Sequence, residues 1–218
     1  MDRLKSLAVL FDLDGVIIDT ETQYTQLWNA IGEHYLDRKE FGGVVKGTTL
    51  KQIFEKHFHS MPEKWAQIEK DIDDFEGTMS YDFVDGVEDF IVELKKNKVP
   101  SAIVTSSNEQ KMSHVYRAHP ELPALFDAIF TAEYFSKSKP DPDCYLKGMA
   151  YFNTEPKNTF VFEDSLMGLK AGAASGALVI GITTTLPKQM MDGLTIATFP
   201  DFLDINVRQM MDIKERIR

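Results

Sequence analysis

Asp12-Leu13-Asp14-Gly15 closes a short apolar run, and its two carboxylates stand two positions apart. In an extended segment such positions point the same way, so both acids can enter one crevice. Carboxylates that close repel each other unless a cation or a proton sits between them. Glu163-Asp164-Ser165 follows a second apolar run and would complete an acidic cup, suited to a hard, oxygen-liganded ion such as Mg2+. Thr105-Ser106-Ser107-Asn108 follows a third run. A helix starting there would attract phosphate through its free N–H groups and dipole. Lys139 precedes Pro140-Asp141-Pro142, where the prolines stiffen the chain and look like a helix start. A fixed lysine beside an acidic cup supplies the positive charge that a phosphoryl group needs. The chemistry this set could do is metal-assisted phosphoryl transfer.

Each piece has a plainer reading. Asp14-Gly15 is an ordinary turn signal. Thr105-Ser106 and Asp164-Ser165 are ordinary helix N-caps, and Lys137 shows that the Lys139 loop carries charge in any case. Convergence outweighs these readings. Ligands of open α/β sheets bind outside the carboxyl ends of the strands, and each group follows an apolar run.

The elements that must position these groups are legible as patterns. The runs are 7–11, 102–104, 159–162 and 178–182, with a weaker one at 128–130. They are near-continuous rather than alternating, as in parallel strands covered on both faces. Between them Val87, Phe90, Ile91 and Leu94 recur at helical spacing, as do Leu146, Met149 and Phe152. Strand–helix repetition of this kind predicts an α/β fold with a central, mainly parallel sheet. Residues 17–83 separate the first two strands by more than a crossover needs. This stretch reads as helical throughout, over 20–35, 49–58 and 63–79, with Thr49 and Gln52 forming a capping box. The acidic segment 71–76 reads as a solvated helix face. The organisation that follows is a core of residues 1–16 and 84–218, with a helical cap of residues 17–83 over the sheet.

Phe11-Asp12-Leu13-Asp14-Gly15-Val16, Thr105, Lys139-Pro140-Asp141-Pro142 and Glu163-Asp164-Ser165 stand in the order of four motifs. In that order they resemble the haloacid dehalogenase-like hydrolase superfamily, and the inserted segment resembles the helical cap of its β-phosphoglucomutase-like branch. The resemblance spans nearly the whole chain. It implies a Rossmann-like parallel-sheet core with an inserted α-helical cap. It also implies Asp12 as the nucleophile that becomes a phosphoaspartate, and Asp14 as the general acid and base. Mg2+ would be held by the Asp12 carboxylate, the Asp14 carbonyl and Asp164, with Glu163 a weaker or water-mediated ligand. Thr105 and Lys139 would bind phosphoryl oxygens, with Ser106 and Asn108 contributing from the same loop. Dehalogenases and phosphonatases of the superfamily lack the second aspartate, so Asp14 favours phosphate esters.

Hydrolysis of a small phosphorylated metabolite, a sugar phosphate foremost, is the expectation. A phosphosugar mutase, a pyrophosphatase and a catalytically silent binding module are the alternatives. Lys46-Gly47-Thr48-Thr49 resembles a cap loop of the mutases. Their cap histidine, however, corresponds to Tyr24 here, and the arginine for a distal phosphate gives way to Leu50-Lys51. Lys51 could substitute only as a point charge. A silent module would not need both aspartates. Glu21, Lys46 and Lys51 are the candidate specificity residues, whereas Trp28 at helical spacing reads as core. His57 and His59 diverge on a helix and make no metal site.

Composition narrows the partners. The chain of 218 residues holds 34 acidic against 24 basic residues, a formal charge of -10. That balance repels nucleic acid and anionic lipid at long range, so neither nucleic acid nor a membrane is expected as a partner. Cys144 stands alone, which excludes an intrachain disulfide and fits a reducing compartment. It reads as a buried small hydrophobe. The apolar run before Asp12 is too short for a signal peptide, and no stretch is long enough for a membrane span. A cytoplasmic protein is expected, for which a monomer is compatible.

Overall fold

The computed structural model describes residues 7–216. Its elements, in chain order, begin with β1 (Ala8–Phe11) and four cap helices. These are α1 (Glu21–Leu36), α2 (Phe41–Val45), α3 (Leu50–His57) and α4 (Trp65–Glu76). There follow α5 (Val87–Lys96), β2 (Ser101–Val104), α6 (Glu109–Ala118), α7 (Leu122–Leu125), β3 (Ala128–Phe130) and α8 (Asp143–Phe152). The chain then forms β4 (Thr159–Glu163), α9 (Leu166–Ala174), β5 (Leu178–Ile182), β6 (Ala197–Phe199) and α10 (Val207–Arg216). The six strands form one sheet in the order β3-β2-β1-β4-β5-β6, parallel throughout.

This is the Rossmann-like order, and it reverses between β1 and β4, where a ligand crevice opens at the carboxyl edge. Register brings the site residues level there. Phe11 pairs with Ile103 of β2 and with Phe162 of β4, so Asp12, Thr105 and Glu163 all emerge on one rim. The apolar runs are continuous because both sheet faces are covered. Leu7, Val9, Phe11 and Phe162 pack with Phe90 of α5, Val115 of α6 and Met210 of α10. Phe11 stacks on Phe162 with centroids 5.0 Å apart. On the other face Leu10, Ala102 and Val161 pack with Tyr145 of α8 and Leu169 of α9. Cys144 is buried in this second cluster, and burial raises its thiol pKa to about 11.

The inserted helices have their own core. Trp28, Ile31, Phe41, Ile53, Phe54, Phe58 and Ile68 form a cluster separate from those on the sheet. Each such side chain, fully buried, contributes about 1.5–3 kcal/mol. At the two ends of the expected 17–83 stretch, Ile17, Ile18, Met79 and Tyr81 pack with the sheet-side cluster. The expected capping box at Thr49 and Gln52 is present. Within the expected 63–79 helix, Pro62–Lys64 is instead a 3-10 turn and α4 ends at Glu76. The acidic segment is only partly solvated. Asp74 is exposed, but Glu76 is buried and accepts from the Tyr24 hydroxyl over 2.6 Å.

Candidate active site

A cavity of about 530 Å3 lies between the sheet's carboxyl edge and the inserted helices. The core contributes Asp12, Asp14, Thr105, Ser106, Lys139 and Asp164 to its wall. The cap contributes Glu21, Tyr24, Trp28 and Lys46, together with Asp73 and Glu76 of α4.

Asp12 directly follows β1 and is buried. Lys139 reaches it from the loop after β3, with Nζ 2.7 Å from Oδ1. The same ammonium donates to Glu163 Oε1 over 2.5 Å. Burial pushes the Asp12 carboxyl up to about 7, against the pull of Lys139 and with a further push from Glu163. Burial works the other way on Lys139, but Asp12 and Glu163 outweigh it and hold the ammonium well above its ordinary range.

Asp164 sits just past β4, buried, and burial with Glu163 and Asp12 as neighbours raises its carboxyl well above the ordinary value. Its Oδ2 accepts from the Thr185 hydroxyl, while Oδ1 is buried with no hydrogen-bond partner. Oxygens of Asp12, Glu163 and Asp164 lie within 4.8 Å of one another. An orphaned carboxylate oxygen in an all-oxygen cluster fits a hard divalent cation. Glu163, expected as a weaker ligand, has both oxygens engaged. Oε1 accepts from Lys139 and from the Tyr145 hydroxyl at 2.7 Å, and Oε2 from the N–H groups of Asp164 and Ser165 and from Ser165 Oγ. Gly15, at φ +72°, allows the approach of Asp164, since a Cβ there would lie 2.0 Å from Oδ2.

Asp14 is half-buried and surrounded by donors. Lys111 Nζ lies 2.6 Å from each carboxylate oxygen, Thr20 Oγ1 is 2.6 Å from Oδ1, and Ser107 Oγ is 3.0 Å from Oδ2. Burial works to raise its pKa, but Lys111 and these hydrogen bonds prevail and lower it. The side chain is therefore ionised near neutrality.

The loop after β2 divides its work. Thr105 is buried and its hydroxyl accepts from Ser107 N–H at 3.0 Å, while Ser106 lies exposed on the cavity wall. Asn108 caps α6 through Oδ1, which accepts from Lys111 N–H over 2.9 Å. Its side-chain oxygen serves the helix, while the residue also lines the cavity.

Among the cap residues, Lys46 and Glu21 reach the cavity and face each other at 3.8 Å. Burial, with Asp14 nearby, raises the Glu21 carboxyl above its ordinary value. Lys51 does not reach the cavity. Its side chain is 83% exposed, facing Glu55 one turn along α3, away from the cavity wall expected for it. Trp28 is core, against Phe41, and also lines the cavity.

Sequence reasoning passed over Lys111, Thr184 and Thr185, and gave Ser107, within the loop after the third run, no role of its own. The threonines follow β5, so the rule that found Asp12 and Asp164 also reaches them. Thr184 Oγ1 donates to the Gly15 carbonyl over 2.5 Å and fixes the turn below Asp14. Lys111 carries a subtler signal. It sits in the first turn of α6, where a cation opposes the helix dipole.

The description "Haloacid dehalogenase-like hydrolase" matches residues 9–182. A validoxylamine A 7'-phosphate phosphatase of Streptomyces hygroscopicus subsp. limoneus is 29% identical over 81% of this chain and 85% of its own. The β-phosphoglucomutase of Bacillus subtilis is 26% identical over 80% and 82% respectively. A crystal structure of a HAD hydrolase, family IA, variant 3, from Entamoeba histolytica superposes with a TM-score of 0.83 at 23% identity, covering 96% of this chain and 99% of that one. With that fold, the matched span and phosphatases among its relatives, the chain belongs to the haloacid dehalogenase-like hydrolases and is a phosphoric monoester hydrolase.

Proposed function

We propose that this hydrolase removes phosphate from a small phosphorylated metabolite, a sugar phosphate foremost, using Mg2+ in the cytoplasm. The observation that carries the reading is the meeting of Asp12, Lys139 at 2.7 Å and the unpartnered Oδ1 of Asp164 beside one cavity. Asp12, Asp164 and the Asp14 carbonyl are the groups that would hold the cation, which would neutralise charge on the transferring phosphoryl group.

The residues would work in two halves. The Asp12 carboxylate attacks phosphorus, and the bond to the ester oxygen breaks with its electron pair. Asp14, ionised in the free protein, must first take up a proton from solvent as substrate binds, and it then gives that proton to the departing oxygen. Asp14 then takes a proton from water, which attacks the phosphoaspartate, releases inorganic phosphate and restores Asp12. Lys139 and the loop at Thr105 and Ser106 hold the phosphoryl oxygens. The inserted helices act as the cap that bounds the substrate.

Hydrolysis is favoured over a mutase reaction by the cavity's cations. Lys46 and Lys111 each face a carboxylate, so a second phosphate would have to compete with Glu21 or Asp14 for them. The test is release of phosphate from a panel of sugar phosphates, other monoesters and pyrophosphate, with and without Mg2+. Turnover that needs Mg2+ and falls to background in Asp12→Asn is expected. No turnover across the panel would overturn the reading and leave a binding module. Glucose 6-phosphate formed from β-glucose 1-phosphate faster than free phosphate would favour the mutase.

A further inference from the structure

Asp14 is held from two sides of the molecule. Lys111 Nζ donates to both of its oxygens at 2.6 Å, and Thr20 and Ser107 add one hydrogen bond each. Lys111 is itself buried and fixed. Its N–H is tied to the Asn108 cap, and its Nζ stands 4.6 Å from the ring centroid of Tyr24 in α1. Tyr24 in turn donates to Glu76 of α4 over 2.6 Å. A buried ammonium in the first turn of a helix is unfavourable on two counts, the dipole and the lost hydration. Pairing with Asp14 and the tyrosine face offset both. The arrangement thus pins one carboxylate from the core helix, while the ammonium that pins it is walled by the cap.

The geometry points to Lys111 as the positioning residue of the Asp14 acid/base, fixing both oxygens of that carboxylate at the cavity. This rests on the acid/base reading of Asp14 given above. A proton reaches a departing oxygen only when its donor lies within hydrogen-bond reach. A carboxylate free to rotate meets that condition part of the time. Losing Lys111 also eases protonation of Asp14, but a misplaced donor cannot deliver that proton, so the esters whose leaving oxygen most needs one are slowed.

The test compares kcat/KM for p-nitrophenyl, phenyl and benzyl phosphate with Mg2+ present, because kcat/KM reports the steps up to leaving-group departure. In Lys111→Met, benzyl phosphate is expected to lose about tenfold or more relative to p-nitrophenyl phosphate, a positioned acid being worth about 10²–10⁴-fold. Lys111→Arg, whose guanidinium can also grip both oxygens, should recover part of that loss. Lys111→Gln carries the same comparison if the methionine variant does not fold. Equal losses on all three esters, or no loss, would overturn the inference, since a structural or phosphate-binding role does not discriminate between leaving groups. Asp14→Asn is the reference. If it fails to steepen the leaving-group dependence, the acid/base reading falls. If it steepens while Lys111→Met does not, the positioning role alone falls.

Discussion

At Asp12 a proton and a cation compete for one place. Burial raises its carboxyl to about 7, and Asp164 beside it is raised as well. The folded protein without metal therefore binds more protons than the unfolded chain between the ordinary carboxylate value and about 7. Stability must fall as pH rises through that window. The expected outcome is a Tm in EDTA that drops between pH 5 and pH 7.5, a drop that saturating Mg2+ reverses. Scanning calorimetry with and without Mg2+ measures it, and Asp12→Asn should flatten the EDTA curve. A Tm that rises over this interval would mean that Lys139 already neutralises the site. The residues at this scale were legible unequally. Asp12, Asp14, Thr105, Lys139 and Asp164 each follow an apolar run, and parallel register brings run ends together. Lys111 and Ser107 act by pairing with Asp14, from sequence positions roughly a hundred residues away, and no spacing encodes that.

Elements were legible where packing agrees with local preference. The strand runs and the helices α1, α3, α5 and α8 stand within a few residues of their patterns. β6 and α2 are among the elements with no pattern read. β6 is three residues of partly buried edge, too short for a run. α2 contains Gly42-Gly43, poor helix formers, and exists because α1 needs a close neighbour. A Cβ on Gly32 would lie 2.2 Å from Phe41 Cβ, and one on Gly42 would lie 2.3 Å from the Thr25 carbonyl. Gly168 in α9 sets local preference against packing most sharply. Helix propensity alone makes Gly→Ala a gain of about 1 kcal/mol. Here the new methyl would stand 1.7 Å from Glu163 Oε1, the atom that holds Lys139 and Tyr145. Gly168→Ala is expected to destabilise by about 1–3 kcal/mol, as overpacking does, and to displace Lys139 from Asp12. Urea unfolding checks the first effect and phosphatase activity the second. A variant more stable than the parent would show that the Glu163 carboxylate can move without loss.

At the scale of the whole molecule, fold and charge are separate choices. The α/β core with its helical insertion could be read end to end, because hydrophobic patterning dictates it. The charge of the cavity could not, because it depends on which side chains face inward. Asp73 and Glu76, from a segment that reads as solvated, turn to the cavity beside Glu21 and Glu69. Lys51, a candidate for that wall, points away. The cap side is thus acidic, with Lys46 already facing Glu21 at 3.8 Å. A second anionic group on the substrate would meet carboxylates in a confined space, where like charges repel more strongly than in bulk water. A neutral, hydroxyl-bearing end would find acceptors instead. Sugar monophosphates are therefore expected to exceed the corresponding bisphosphates in kcat/KM by about tenfold or more, about 1.4 kcal/mol or above. Fructose 6-phosphate against fructose 1,6-bisphosphate, assayed by phosphate release, is a direct comparison. Glu76 is held by Tyr24 and Glu21 by Lys46, so Glu69→Gln is the gentlest way to remove a charge from the wall, and it should narrow the ratio. Raising salt should narrow it less, because a 530 Å3 cavity under a cap is only partly screened. A bisphosphate turned over as well as its monophosphate would mean that the acidic wall lies outside the substrate's reach.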